Sequence, residues 1–524
     1  MQDDEHIVKY LVPPEKVGVK REKYINEKGF PSWWRIFKLE RPKITTGGKP
    51  YDNNNSTKIL QFLQVVPMLV LKDGQITIWE YILPKEVQVL SKELQKIDEI
   101  LDDPIFFEPY LKKFNVRIGR PSVKVETYIR MMYLKFRYQL GYETLVKEVS
   151  DSISWRKFCR IGLEKEVPHS TTLIKLSKKY GPELIDELNK LLLEKARDQK
   201  LIRGRKLRID TTVIETDIHH PTDARLMQDS IKVITRTVKK IKESGAAIRT
   251  RFQDRNVSVK KKALNISKVA RRRTGEAIEE IDKITTKIIA TAETVVEEAT
   301  SVLKNAGHKL WRDGENASCS TKQLVKKLTK QLQVAQRVID QSKQVVSGNR
   351  NIPDRIVSIY DTDARPIKKG KPQKPTEFGY KVLIQETEDG VITGYEVYCG
   401  NPADDTLLSD GLEKHQELFG KAPWGIAADR GFGSKANEEL CEKKGVKRIS
   451  LPKKGRLSKK QKGKEKQPAF RRLQRFRAGI EARISLLKRK YGLGRSLSRG
   501  YRGTKTWVGG GIFAHNLQKI ASMI

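Results

Sequence analysis

The spacing of apolar positions changes several times along the chain, and each change marks a predicted element. Between Pro121 and Leu201 the period is helical: Val125, Ile129, Met132, Phe136 and Leu140 fall three or four apart, and Gly141 follows. Further helices fit "YETLVKEV", "ISWRKFCRI", "STTLIKLSKKY" and "GPELIDELNKLLLEKA", with Ser170 as an N-cap and Pro182 in a first turn. Short helices with sharp turns suit a helix-turn-helix-like DNA reader, and a helical bundle that only packs has the same pattern. From about Ala224 to Gly348 the helices lengthen. Ile281, Ile288, Ala292, Val295, Ala299, Val302 and Ala306 form one stripe, and Leu324, Leu328, Leu332 and Val338 another. The segment "GHKLWRDGENASCS" between the stripes predicts an antiparallel helical hairpin.

Elsewhere the alternation is that of strands. "KLRIDTTVIE" puts Leu207, Ile209 and Val213 on one side and Arg208, Asp210 and Thr212 on the other. "RIVSIYD", "FGYKVLIQE" and "GVITGYEVYCG" also read as β, the last two as a hairpin around Glu388-Asp389-Gly390. A helix at "DTLLSDGLEKHQELFG", a strand at "WGIAA", a helix at "SKANEELCEKKG", a strand at "VKRISLP" and a long final helix around "RFRAGIEARISLLKRKYG" follow. That order predicts an α/β layer fold whose first strand is cut off from the rest by an all-α insertion. The predicted domains are a mixed N-terminal region 1–118, an all-α DNA-binding domain 119–203, an α/β domain 204–223 with 351–524, and the insertion 224–350. In the first, "VVPMLVLKDGQITIWEYIL" predicts a hairpin around Asp73-Gly74, and Trp33-Trp34 fit core or interface packing better than base stacking.

Composition narrows the partner. Lys and Arg number 104 against 64 Asp and Glu, a formal charge of +40 that repels itself unless a polyanion answers it. Nucleic acid is the candidate. A membrane is disfavoured because no apolar run approaches the roughly 20 residues of a span, and "MQDDEH" lacks a signal peptide's basic start. A soluble, cytoplasmic protein is expected. Cys159, Cys319, Cys399 and Cys441 lie far apart without a C-x-x-C pair, which predicts reduced, mostly buried thiols in place of a zinc finger. Each Gly-Lys is followed by Pro, Ala or Glu, which disfavours a Walker-type ATPase.

Three acids carry the candidate chemistry. Asp210 ends the apolar half of its strand, and Asp429 stands where "WGIAA" meets the turn "DRGFGS"; ligands of open α/β sheets collect beyond the carboxyl ends of strands. Between Pro452 and Gly511 the only acids are Glu465 and Glu481. Glu481 sits beside the stripe Phe476, Ile480, Ile484, Leu487 and Tyr491, with Lys488 about two turns on, and its alternative role is an ion pair with Arg477. Three oxygen ligands from two strands and a helix suit hard Mg²⁺ and two-metal phosphoryl transfer. Arg430, Lys453, Lys454, Arg477, Lys488 and Arg489, with the basic segment running to Lys466, are candidate phosphate binders. Other candidates have plainer roles: Asp361 and Asp363 in a turn or substrate loop, Asp404 and Asp405 at a helix start, His219-His220 in a loop without zinc-site spacing.

In their order and spacing, "RIDTTVIET", "GIAADRGFGS" and "AGIEARISLLKRKYGL" resemble the three acidic signatures of DDE transposases from bacterial insertion sequences. The resemblance extends over "TEFGYKVLIQE", "GNPADDTLL" and "WVGGGIFAHNL", and the helical segment from about 119 to 200 resembles the N-terminal domain of such enzymes. It implies a ribonuclease H-like catalytic domain in which Asp210, Asp429 and Glu481 correspond to the catalytic, metal-binding triad. It also implies Mg²⁺ or Mn²⁺ as cofactor, and double-stranded DNA, both terminal inverted repeats and target, as partner. Members act as dimers or higher assemblies. A metal-dependent nuclease of the same fold and a non-catalytic DNA-binding derivative are the alternatives.

Overall fold

The computed structural model describes residues 89–524 apart from 112–121, 315–317, 350 and 369–375, and before residue 89 only positions 21–23, 35–37, 84 and 86. The hairpin predicted around Asp73-Gly74 and the pair Trp33-Trp34 lie outside the described residues. The chain divides into two compact units, 1–75 with 111–125 and 76–110 with 126–524. In the first, β1 (Arg21–Lys23) pairs antiparallel with β2 (Arg35–Phe37).

The second unit is mostly helical around one mixed sheet of seven strands. At its centre lies β3 (Lys206–Thr216). One edge of β3 pairs antiparallel with β5 (Thr376–Thr387), and β5 in turn carries β4 (Arg365–Lys368) and β6 (Ile392–Tyr398), both antiparallel. The other edge pairs parallel with β7 (Gly425–Ala427), which is followed by β8 (Arg448–Ser450), also parallel, while β9 (Arg495–Ser496) joins the far end of β3. The β5–β6 turn falls at the predicted place, with Gly390 at φ 78°.

Each face of β3 is covered by a different layer. Leu207 and Ile209 are buried with Leu408 and Leu412 of α10 (Leu408–Phe419) and Cys441 of α11 (Lys435–Lys443). On the opposite face Arg208 donates through Nη1 to the Phe476 carbonyl, 2.7 Å away, in α13 (Pro468–Lys490), the helix that follows α12 (Lys459–Lys466). Close approach here requires Gly479, because a Cβ at that position would collide with the Arg208 guanidinium. The predicted final helix is not the last one. α14 (Gly500–Ala521) follows it, buried on almost every side: Cβ atoms at Gly509, Gly510 and Gly511 would strike Tyr395, Phe136 and Leu493.

N-terminal to the sheet stand α1 (Lys92–Leu101), α2 (Val125–Arg137), α3 (Tyr142–Asp151), α4 (Ile153–Phe158) and α5 (Ser170–Asp198). The cap of α5 is His169, whose ring accepts from Thr171 N, one residue before the Ser170 expected. The two helices predicted around Pro182 run on through a kink at Gly181, φ 70°. α5 packs along α14, where Asn189 donates to the Gly509 carbonyl at 3.1 Å.

Between β3 and β4 lie α6 (Asp223–Glu243), α7 (Asn256–Val269), α8 (Gly275–Asp313) and α9 (Cys319–Val346). They share one apolar core, in which the predicted stripe residues Ile288, Ala292, Val295, Ala299, Val302 and Ala306 meet Leu328, Leu332 and Val338. α8 runs on to Asp313, past the break expected from Gly307 onward. The segment "RIVSIYD" is not a strand. Ile356 joins the helical core, and its backbone N–H and carbonyl are both satisfied by the Gln341 side-chain amide, at 3.0 and 3.1 Å, in place of a neighbouring strand.

Candidate active site

Asp210 lies in the middle of β3, not at its end. The reason is register: β7 pairs with residues 206–208 of the longer β3 and stops at Ala427, opposite Arg208. Two residues further, the chain of β7 has left the sheet and Asp429 stands at the level of Asp210. There the Asp429 carboxylate accepts from Gly431 N at 2.7 Å and caps the tight turn Arg430–Phe432. Asp210 accepts from Thr211 N, also at 2.7 Å.

Glu481 approaches from α13. Its carboxylate is exposed and held by Arg477 Nη2 at 2.7 Å, the ion pair considered as its alternative role; Arg477 Nη1 reaches the Asp210 carboxylate at 3.8 Å. Arg477 therefore bridges the strand acid and the helix acid. Burial raises the Asp210 carboxyl to about 6; the charge of Asp429 adds to the rise, as does that of Glu481, against the Thr211 N–H and Arg477. Asp429 and Glu481 thus act electrostatically on Asp210 from two other elements.

A fourth acid stands with them. Asp404 Oδ1 accepts from Thr211 Oγ1 at 2.9 Å and pairs with Lys381 Nζ at 2.6 Å. A Cβ on Gly431 would fall 2.7 Å from Asp404 Oδ2 and 2.8 Å from Asp429 Oδ1, so the glycine lets the turn pass between two carboxylates. Asp404 does open a short 3-10 turn, but the cap position is Ala403, and the Asp404 side chain is engaged by β3 and β5. A signal for it was present: Lys381 lies in a buried strand, and a cation there requires an acid.

The donors are all hard carboxylate oxygens, the chemistry that Mg²⁺ or Mn²⁺ takes. Asp210 and Asp429 fit such an ion, since a cation would relieve the mutual charge that raises Asp210. Among the described residues no three His, Cys, Asp or Glu side chains converge closely enough to enclose one, and Glu481 is turned to Arg477. Elsewhere, Asp361 accepts from Tyr380 Oη at 2.6 Å, Asp363 and Asp405 are exposed, and His219 and His220 are exposed residues of the loop after β3. Of the cysteines, Cys159 and Cys441 are buried and Cys319 and Cys399 exposed, all free.

The basic candidates divide. Lys488 donates to the Val213 carbonyl at 2.8 Å, bracing α13 on β3. Lys453 is drawn to Glu438 at 3.6 Å, while Lys454, Arg430 and Arg489 are exposed. Because β8 is parallel to β7, the segment 453–466 leaves the sheet from the end where Asp429 lies.

Residues 82–179 match the family described as transposase domain (DUF772), and residues 350–517 match the transposase DDE domain family. The two matches support a DDE transposase of an insertion sequence. The second match includes Asp429 and Glu481 and begins beyond Asp210, after α6–α9. A curated relative, the uncharacterized protein ORF8 in the nfe locus of Rhizobium meliloti, is 30% identical over 128 residues. That alignment covers 24% of this chain and 62% of the relative. No solved structure matches the chain. Among the described residues no helix is long and apolar enough to cross a membrane.

The burial of Asp210 beside other acids has a measurable cost. A carboxyl that titrates near 6 in the fold and near 3.8 when unfolded binds its proton more tightly in the folded state, so its ionised form opposes folding. The cost is absent below about pH 4, grows through the window to 6 and is complete above it, at most about 3 kcal/mol. In chelator, Asp210→Asn is therefore expected to raise the urea midpoint at neutral pH and to leave it unchanged near pH 4. An equal gain at both pH values would contradict the electrostatic account.

Proposed function

We propose that the chain binds the terminal inverted repeats of its own insertion sequence, cleaves the element's ends and joins the resulting 3′-hydroxyl to target DNA. The observation that supports this reading is that the charges of Asp429 and Glu481 both reach the largely buried Asp210 carboxyl. The sheet supports a ribonuclease H-like catalytic domain: in space the order β6, β5, β3, β7, β8 joins an antiparallel three-strand half to a parallel pair, with α6–α9 inserted after the first strand. On this reading α2–α5 form the DNA-binding domain that precedes it.

Asp210, Asp429 and Glu481 would hold Mg²⁺ or Mn²⁺. Bound there, such ions would supply charge neutralisation for an in-line displacement at phosphorus. Arg477 carries the cation nearest both acids, and a scissile phosphate that takes its guanidinium releases Glu481 toward Asp210. Lys488 fixes the helix on the strand. Water first breaks the bond between phosphorus and the 3′ oxygen, and the freed 3′-hydroxyl then attacks a target phosphodiester, whose own 3′ oxygen leaves. Arg430, Lys454, Arg489 and the segment to Lys466 hold the flanking phosphates, in a dimer or larger assembly on DNA in the bacterial cytoplasm, at the nucleoid.

Neutralising Lys454, Arg456, Lys459, Lys460 and Lys462, all exposed, is expected to flatten the dependence of duplex affinity on salt by about 0.9 log unit per log unit for each phosphate that the segment no longer neutralises. An unchanged slope would remove the segment from the interface. The reading as a whole is tested with the DNA flanking the gene, which should carry inverted repeats. Linear DNA ending in such a repeat is incubated with Mg²⁺ and a target plasmid. Joined products support a transposase, cutting without joining supports a nuclease of the same fold, and binding without cutting supports a non-catalytic derivative.

A further inference from the structure

The helices between β3 and β4 differ in charge. α8 mixes Glu293, Glu297 and Glu298 with Lys283, Lys287 and Lys304, and its acids are used: Glu293 pairs with Lys343 at 2.5 Å and Glu298 with Arg255 at 2.8 Å. α9 is different: it contains a single acid, Asp340, which accepts from Gln336, and Lys343 near its end is the residue that pairs with Glu293. Where α9 meets α6 and the segment leading to β4 there is a cleft of about 680 Å³. Its polar walls include Ser230 of α6, Thr362 of the segment, and Gln323, Lys326, Lys327 and Lys330 of α9. Among the described residues no acid lines it. Asp229, beside Ser230 on α6, is instead set among Arg225, Lys232 and His219.

Lys330 lies three and four residues beyond the adjacent pair Lys326 and Lys327, so the three share one side of α9, and all are exposed. Among the described residues none of the three meets a carboxylate, whereas Lys435 finds Glu439 at i+4. Lys326 and Lys330 are about 6 Å apart along the axis. That is close to two phosphate steps of about 3.4 Å along one DNA strand.

We infer that this cleft is a second binding site for the DNA phosphate backbone, outside the sheet that carries the acids. Lys326, Lys327 and Lys330 bind successive phosphates, and the glutamines and hydroxyls beside them donate to phosphate oxygens without reading base sequence. The helical block thereby holds a stretch of duplex away from the cleavage point. The inference rests on the proposed function only in taking the polyanion to be DNA.

The experiment uses the full chain and a labelled duplex of arbitrary sequence, with affinity measured over a salt series. Lys326→Gln, Lys327→Gln and Lys330→Gln together should make the log–log slope shallower by about 2.7, from three phosphates at about 0.9 each. Arginine at the same three positions should restore the slope. Lys283→Gln with Lys287→Gln, on the exposed face of α8, should leave it as in the parent. Thermal melting at the parent's midpoint establishes that each variant is folded. An unchanged slope in the folded triple glutamine variant overturns the inference. So does an unchanged DNA slope accompanied by weakened binding to phosphatidylserine vesicles, which assigns the cleft to an anionic membrane surface. Abolished cleavage chemistry with the slope change intact would sink the reading of the acids and leave the cleft standing.

Discussion

Asp429→Asn is expected to lower DNA end cleavage about a thousandfold or more while leaving affinity for the same DNA within a few-fold of the parent. The magnitude follows from the several kcal/mol that charge stabilisation at phosphorus supplies, at tenfold per 1.36 kcal/mol. Affinity is spared because removing an acid from a basic surface does not weaken phosphate binding. The fold is spared as well, since asparagine retains an oxygen to accept from Gly431 N. Cleavage and electrophoretic mobility shift measured on one labelled end fragment check both halves. Cleavage at the parent's rate would remove Asp429 from the site.

The second large effect falls on the fold that holds the site. Glu386 is fully buried in β5 and receives two guanidinium groups: Arg208 of β3 at 2.8 Å and Arg483 of α13 at 2.8 Å. Arg483 donates onward to His515 Nε2 at 3.1 Å, and burial together with that arginine lowers the His515 pKa to about 3, so its ring stays neutral and can accept. Glu386 thus clamps the strand of Asp210 to the helix of Glu481. Glu386→Ala strands both arginines, and breaking such a buried pair costs about 3–5 kcal/mol. Urea denaturation should show that loss. A change below about 1 kcal/mol would mean that the arginines are hydrated and the clamp carries little.

Much of this architecture is legible in sequence where one physical rule dominates. β3 and the β5–β6 hairpin follow from alternation and a turn containing Gly390; the core of α6–α9 follows from stripes of small and branched residues. Reading failed where a side chain replaces a backbone partner. The apolar run at Ile356 and Val357 resembles a strand, yet Gln341 satisfies the Ile356 backbone and the run is buried among helices. α14 was hidden because three consecutive glycines weaken a helical pattern, and only the neighbours they admit explain them. Asp404 was hidden for a related reason: its place at the start of a turn accounts for an aspartate locally, whereas its partners Thr211 and Lys381 are distant in sequence. The three acids themselves were visible as strand-associated or isolated charges. Their level with one another depends on the lengths of β3 and β7, which no local pattern encodes.

The central claim is that Asp210, Asp429 and Glu481 form one centre that joins DNA ends to a target. It is tested most directly by strand transfer with Glu481→Gln beside the parent, in Mg²⁺, using end DNA that both proteins bind equally. The account predicts covalently joined plasmid with the parent and none with the variant. Joining by the variant at the parent's level would contradict it.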